Sequence, residues 1–221
     1  MSPPAREQLA GILAALRLHA DATQIDQLLR YLELLQRWNT VYNLTAVREP
    51  AHMLTLHLAD SLSLIPALDR RHPRRLLDVG SGGGLPGLVL AIMRPQWQLV
   101  LVDAVQKKCA FVQQVAATLQ LRNVEVAHGR IEQLNLPGFD CITSRAVGEL
   151  AELVRISEHV LLAGGSWAAM KGGVPAAELQ GLPPDIAHDI EILDVPGLQA
   201  QRCVVWMHRA QAPAAARPGD S

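Results

Sequence analysis

The stretch LLDVGSGGGLPGLVLA, residues 76–91, constrains the fold of this chain more than any other, because it sets five glycines and one proline between two apolar runs. The first run is short enough for a buried strand, and Pro86 suits the first turn of a helix after it. Between them Gly80, Gly82, Gly83 and Gly84 accept positive φ and leave bare backbone open to a ligand. Asp78 breaks the strand's apolar run near its carboxyl end, the side of an open α/β sheet where ligands bind.

The downstream sequence continues the alternation. Short apolar runs at 76–79, 98–102, 124–127, 140–143, 166–170 and 202–207 predict strands, and amphipathic stretches near 87–94, 105–120 and 149–162 predict helices. Strands alternating with helices imply a parallel sheet covered on both faces. The run at 190–195 is too close to 202–207 for a helical crossover, so these two should form an antiparallel hairpin. Upstream, residues 4–66 read as helical: Asp21 and Gln24 suit a capping box, and Ile25, Leu28, Leu29, Leu32 and Leu35 follow at helical spacing. The expected organisation is a helical cap at 1–66, a sheet domain at 67–209 and a loose Ala/Pro-rich tail at 210–221.

Composition narrows the function. Apolar runs are too interrupted to span a bilayer, and no secretory signal is visible after MSPPAREQLA, so a cytoplasmic protein without a membrane partner is expected. Cys109, Cys141 and Cys203 lack metal spacing and suit a reducing compartment. A formal net charge of -1 does not advertise nucleic-acid binding, so any RNA contact must be a local patch.

Three ligands compete for the glycine turn. A nucleoside triphosphate loop needs a lysine, and the first lysine of the chain is Lys107. A dinucleotide fits Gly82-x-Gly84-x-x-Gly87 formally, but Asp103 falls short of the ~20-residue spacing of the ribose-binding acid, and Gly87 would lie inside the helix. S-adenosylmethionine needs an acid near its ammonium group and another at its ribose diol, which Asp78 and Asp103 can supply. The alternative role for Asp103 is the N-cap of a helix starting at Val105, and both roles can coexist.

Several ordered motifs are more specific than the turn alone. DVGSGGGLPG at 78–87, VDAVQKK at 102–108, GRIEQL at 129–134, TSRAV at 143–147 and MKGG at 170–173 stand beside RWNTVYNLTAVREP at 37–50 and HLADSL at 57–62. Together they resemble the bacterial small-subunit ribosomal RNA guanine-N7 methyltransferases, also called the glucose-inhibited division protein B family, over about residues 30–207. The resemblance implies a Rossmann-like class I S-adenosylmethionine-dependent methyltransferase, with seven strands, the last antiparallel, and an N-terminal helical cap. It implies that Gly80 and Leu85 contact the cofactor within the turn that Gly82 and Gly84 share, that Ile131 and Glu132 lie at the adenine end, and that Asp103 holds the ribose. Arg145 should reach the cofactor pocket. One departure is Ser81-Gly82-Gly83, where relatives often carry Thr-Gly-Pro or Ser-Gly-Ala.

The implied substrate is 16S ribosomal RNA or the small ribosomal subunit, and the implied enzyme is a monomer without a metal. Guanine N7 carries an in-plane lone pair and no proton, so its methylation needs alignment rather than a general base. Consistently, Thr143-Ser144-Arg145-Ala146 stands where amino-directed methyltransferases often carry Asn/Asp-Pro-Pro-aromatic. Arg145 could meet a cofactor carboxylate, a guanine O6, a phosphate, or an ion-pair partner within the fold. Lys171 is expected at a phosphate, with a solvated strand end as the alternative. Trp38, Asn39, Tyr42 and Asn43 suit either RNA contact or docking of the cap onto the sheet. Arg70, Arg71, Arg74 and Arg75 form a basic spot suited to phosphates or to a solvated loop, and His57, His128 and His159 are expected to be structural. Methylation of a small molecule or protein, and a non-catalytic nucleotide-binding module, are the competing functions.

Overall fold

The protein is described here by a computed structural model covering residues 3–145 and 148–210. The expected tail beyond Ala210, and Ala146 and Val147 of TSRAV, lie outside these residues.

Seven strands form one sheet: β1 Arg75–Val79, β2 Gln98–Asp103, β3 Val124–His128, β4 Phe139–Ser144, β5 Leu161–Lys171, β6 Ile186–Leu193 and β7 Arg202–Arg209. Their order is β3-β2-β1-β4-β5-β7-β6, with β1 to β5 parallel and β7 antiparallel to both its neighbours. The expected hairpin is present. The chain runs outward from β1 on one side and from β4 on the other, so a crevice opens where the order reverses, between these adjacent strands.

Successive side chains of each strand enter different cores, because strand side chains alternate between faces. Leu76, Leu99 and Leu101 join one apolar cluster, whereas Leu77, Val79, Val100 and Val102 join the other. Helix α1 (Pro3–Ala15), α2 (Ala22–Tyr42) and α6 (Gly87–Met93) pack into the first cluster, and α8 (Leu150–Ser157) into the second. Leu9, Leu28 and Leu35 of the cap are fully buried in the same cluster as Leu88 and Leu90 of α6. Burying each such leucine contributes about 1.5–3 kcal/mol. The helical segment thus shares a core with the sheet. The capping box at the start of α2 is formed, with Asp21 Oδ1 accepting from Gln24 N at 2.8 Å and Gln24 Oε1 from Asp21 N at 3.0 Å.

Several boundaries differ from expectation. The helical run continues past residue 66: α3 Pro50–Met53 leads into a π-helix at Leu54–Ala59, then α4 Asp60–Ser63 and α5 Ile65–Asp69. β5 begins at Leu161 rather than 166, because a register shift against β4 absorbs Gly164 and Gly165, which alone read as a loop. Pro86 precedes the first turn of α6 instead of entering it. α7 spans Gln106–Thr118, and α9 spans Ala176–Gln180.

Candidate active site

The glycine turn closes over the end of β2. Gly80 N and Ser81 N both donate to Val102 O, at 2.9 and 3.1 Å, and Gly80, Gly82 and Gly84 all adopt positive φ. Asp103 then staples the turn to the next loop: Oδ2 accepts from Gly82 N and Oδ1 from Val105 N, both at 2.9 Å. It is not itself the N-cap of α7, a position that Val105 takes without a side-chain cap bond of its own. Each carboxylate oxygen has two lone pairs and one backbone donor, so the two can still receive a pair of hydroxyls. Lys108 Nζ stands 3.7 Å from Oδ2. A Cβ added at Gly82 would enter open space, meeting only Gly80 O at 3.9 Å, so this part of the turn faces outward without a side chain.

Asp78 lies beneath the turn rather than on its open face. It is buried, its Oδ2 accepts from Gly87 N at 2.9 Å, and its Oδ1 accepts from Thr143 Oγ1 at 3.3 Å. Both oxygens are therefore engaged within the fold, where the sequence reading expects an acid near an ammonium group. Burial pushes this carboxyl up to about 7; the Gly87 N–H, Arg145 and Thr143 pull the other way, and Asp103 adds to the rise. Gly87 is indispensable to the contact, because a Cβ there would stand 2.7 Å from Asp78 Oδ2. Leu85 is buried next to the turn. At the end of β3, Gly129 N donates to Asp103 O at 3.1 Å, and a 3-10 turn at Ile131–Gln133 follows with Ile131 buried and Glu132 exposed. Gly80, Gly82, Gly84, Asp103, Ile131 and Glu132 thus gather around the carboxyl ends of β1, β2 and β3.

Across the crevice a cavity of about 310 Å³ is lined by His57, Asp60, Arg145, Met170, Lys171 and Arg202, among others. Asp60 is buried at its centre of charge: Oδ2 accepts from Arg145 Nη1 at 3.2 Å, and Oδ1 from Arg202 Nε at 3.1 Å. Arg145 Nη1 also reaches Leu56 O in the π-helix at 3.1 Å, so the ion pair within the fold is the reading of Arg145 that the structure realises. Lys171 is neither a free phosphate ligand nor a solvated strand end. Its Nζ donates to Gly148 O and Glu178 Oε2, both at 2.7 Å.

His57 is 3% exposed, as a structural histidine should be, yet its Nδ1 has no hydrogen-bond partner. Its Nε2 lies 2.9 Å from Thr45 Oγ1, which accepts from Val47 N at 3.2 Å. Burial pushes the imidazole down to about 4, with Arg145 lowering it further and the Leu56 backbone opposing, so the ring is neutral at pH 7. Asn39 clamps the following loop: buried, it accepts from Thr45 N at 2.9 Å and donates to Val47 O at 3.3 Å. Trp38 docks α2 by packing 5.5 Å from the Phe111 ring of α7. Tyr42 and Asn43 are exposed, and Asn43 ends α2 in the left-handed region while accepting from Arg48.

Arg70, Arg71 and Arg74 precede β1 and Arg75 opens it, so all four lie at the opposite edge of the sheet from the turn. There Arg70 pairs with Glu191, and Arg71 stacks 3.7 Å above the Trp206 ring. Sequence reasoning missed Tyr31, whose buried hydroxyl donates to Gly83 O at 2.7 Å and fastens the turn to α2. It also missed Asp60 and Arg202. His57 and Asp60 stand three apart in HLADSL, a helical spacing that placed them together; nothing near Arg202 signalled its partner.

A model of the GidB family, described as rRNA small subunit methyltransferase G, matches residues 24–205. The chain is 49% identical over 215 residues to a protein of Bordetella pertussis named ribosomal RNA small subunit methyltransferase G, covering 93% of this chain and 94% of that one. It is 50% identical over 208 residues to the protein of that name from Leptothrix cholodnii, covering 92% and 95%. Among solved structures, a putative O-methyltransferase from Klebsiella pneumoniae matches with a TM-score of 0.60 at 14% identity, over 91% of this chain and 96% of the other. The O-methyltransferase TomG from Streptomyces achromogenes, in complex with S-adenosylmethionine, matches with a TM-score of 0.56 at 15% identity, over 90% and 94%. These structural likenesses show the Rossmann-like methyltransferase fold. The sequence matches show more: the chain belongs to the GidB family of rRNA small subunit methyltransferases.

Proposed function

We propose that this enzyme transfers the methyl group of S-adenosylmethionine to N7 of a guanine in 16S ribosomal RNA, in the cytoplasm and as a monomer. The observation that carries the reading is the pairing, across one crevice, of a turn built on Gly82 and Asp103 with a cavity beside the Arg145–Asp60 ion pair. S-adenosylmethionine supplies an electrophilic methyl on a sulfonium. The residues present fit it: Asp103 has lone pairs for the ribose diol, Gly82 opens the turn toward it, and Ile131 and Glu132 bound the adenine end. In the transfer, the N7 lone pair forms the new bond, the C–S pair returns to sulfur, and the positive charge moves to the base. No proton has to leave, so the chain need supply only alignment. The neutral His57 and the ion-paired Arg145 suit that demand, for neither is poised as a general base. Tyr42 and Asn43 offer the exposed surface for RNA beside the site.

Labelled S-adenosylmethionine incubated with small subunits from cells lacking the modification checks this. Label is expected in a single 7-methylguanosine of 16S RNA; label appearing only in a metabolite extract, or in no RNA, would refute it.

A further inference from the structure

The cavity beside Arg145 holds a combination that packing does not require. Asp60 is a buried carboxylate with a guanidinium on each oxygen, which leaves one lone pair per oxygen uncommitted. Next to it, Thr45 Oγ1 receives the Val47 N–H and lies 2.9 Å from His57 Nε2. The other ring nitrogen, Nδ1, is a buried polar atom without a hydrogen-bond partner. Leaving such an atom unpaired costs the fold free energy. Paired acceptors, a largely apolar wall and about 310 Å³ describe a small ligand site, at the lower end of the ~300–1,000 Å³ range of ligand pockets. A single extruded base is of that class, and enzymes acting on a base read it in such pockets once it leaves its stack.

A guanine methylated at N7 turns one edge to the methyl donor and keeps its Watson–Crick edge free. That edge offers N1–H and N2–H as adjacent donors and O6 as an acceptor. Adenine offers an acceptor at N1 and no amino group at C2, which a carboxylate disfavours. We propose that Asp60 selects the target base by accepting from N1–H and N2–H of guanine. This rests on the guanine reading given above. It makes Asp60 a specificity-determining residue, held in place by Arg145 and Arg202 rather than neutralised by them.

The test compares single-turnover methylation of small subunits carrying guanosine or inosine at the target position, since inosine lacks only the N2 amino group. Native enzyme is expected to favour guanosine about 10- to 100-fold, because a buried acceptor is left unpaired with inosine. The Asp60→Asn enzyme is expected to react more slowly and to lose that preference to within about threefold, as one of its two acceptor positions has become a donor. Calorimetric S-adenosylmethionine binding and thermal melting establish that this variant is folded. A folded Asp60→Asn enzyme keeping the full preference overturns the proposal. Should the variant not fold, the native enzyme decides alone: equal rates on both substrates overturn it. Equal rates dismiss Asp60 as the reader while leaving the guanine activity standing, whereas no methylation of either substrate refutes the underlying reading instead.

Discussion

Asp78 and His57, two of the buried titratable groups at the crevice, respond to pH in opposite directions. Asp78 titrates near 7 in the folded protein and near 3.8 unfolded, so between those values the folded state holds a proton that the unfolded state has lost. Its contribution to stability is complete at low pH and fades as pH rises. His57 titrates near 4 folded and near 6.5 unfolded, so in that window only the unfolded state takes up the proton. Its contribution is complete above about 6.5 and is lost as pH falls. From pH 4.5 to 6.5 the two slopes oppose, each on the order of 1 kcal/mol per pH unit. Urea unfolding across that range should therefore show His57→Gln losing stability relative to wild type as pH rises, and Asp78→Asn gaining it. Parallel curves for all three proteins would contradict the assigned environments. Asp103→Ala removes an ionised acceptor from both the turn and the expected ribose site. S-adenosylmethionine affinity should fall at least about tenfold, given ~1.5–3 kcal/mol for a hydrogen bond to a charged group. Unchanged affinity by calorimetry would exclude the ribose role.

At the scale of elements, the formal match to a dinucleotide pattern has a physical origin. Gly87 opens α6, and the space its missing Cβ leaves is taken by Asp78 Oδ2 and by Leu101 of β2, at 2.7 and 2.8 Å from where that atom would lie. The last glycine of a dinucleotide fingerprint serves the same close helix-to-strand packing. The spacing therefore reports packing, while the ligand is set by what surrounds the turn. Gly87→Ala should destabilise the protein by ~1–3 kcal/mol through overpacking, read as a lowered melting temperature, and an unaltered melting curve would show that α6 can shift at no cost. The elements themselves were legible because their signals are local. Runs such as QLVLVD fill a strand that is buried on both faces, and IEIL alternates at the exposed sheet edge. The π-helix was not legible, since widening a helix by one residue leaves its apolar pattern nearly intact, yet it brings the Leu56 carbonyl to Arg145.

The whole molecule explains why half of the site could be read from sequence and half could not. The cofactor half is assembled from neighbouring loops within residues 78–132, where glycines and strand-end acids betray it. The cavity half joins Asp60 to Arg145 and Arg202, which come from three distant parts of the chain. No periodicity links charges that meet only after the sheet is complete. Lys171 and Asn39 follow the same logic: residue type shows what they can bind, but only the fold shows that Glu178 and the 45–47 loop engage them. The order β5-β7-β6 carries this further. During synthesis β6 emerges before β7 and has no place on the sheet, because the edge of β5 is reserved for a strand not yet made. That strand opens with Arg202, so the arrival of one residue both seats the hairpin and supplies the second guanidinium to Asp60. A chain ending before Arg202 would keep every residue of the turn at 80–84 yet lack both the strand that joins β6 to β5 and the second guanidinium on Asp60.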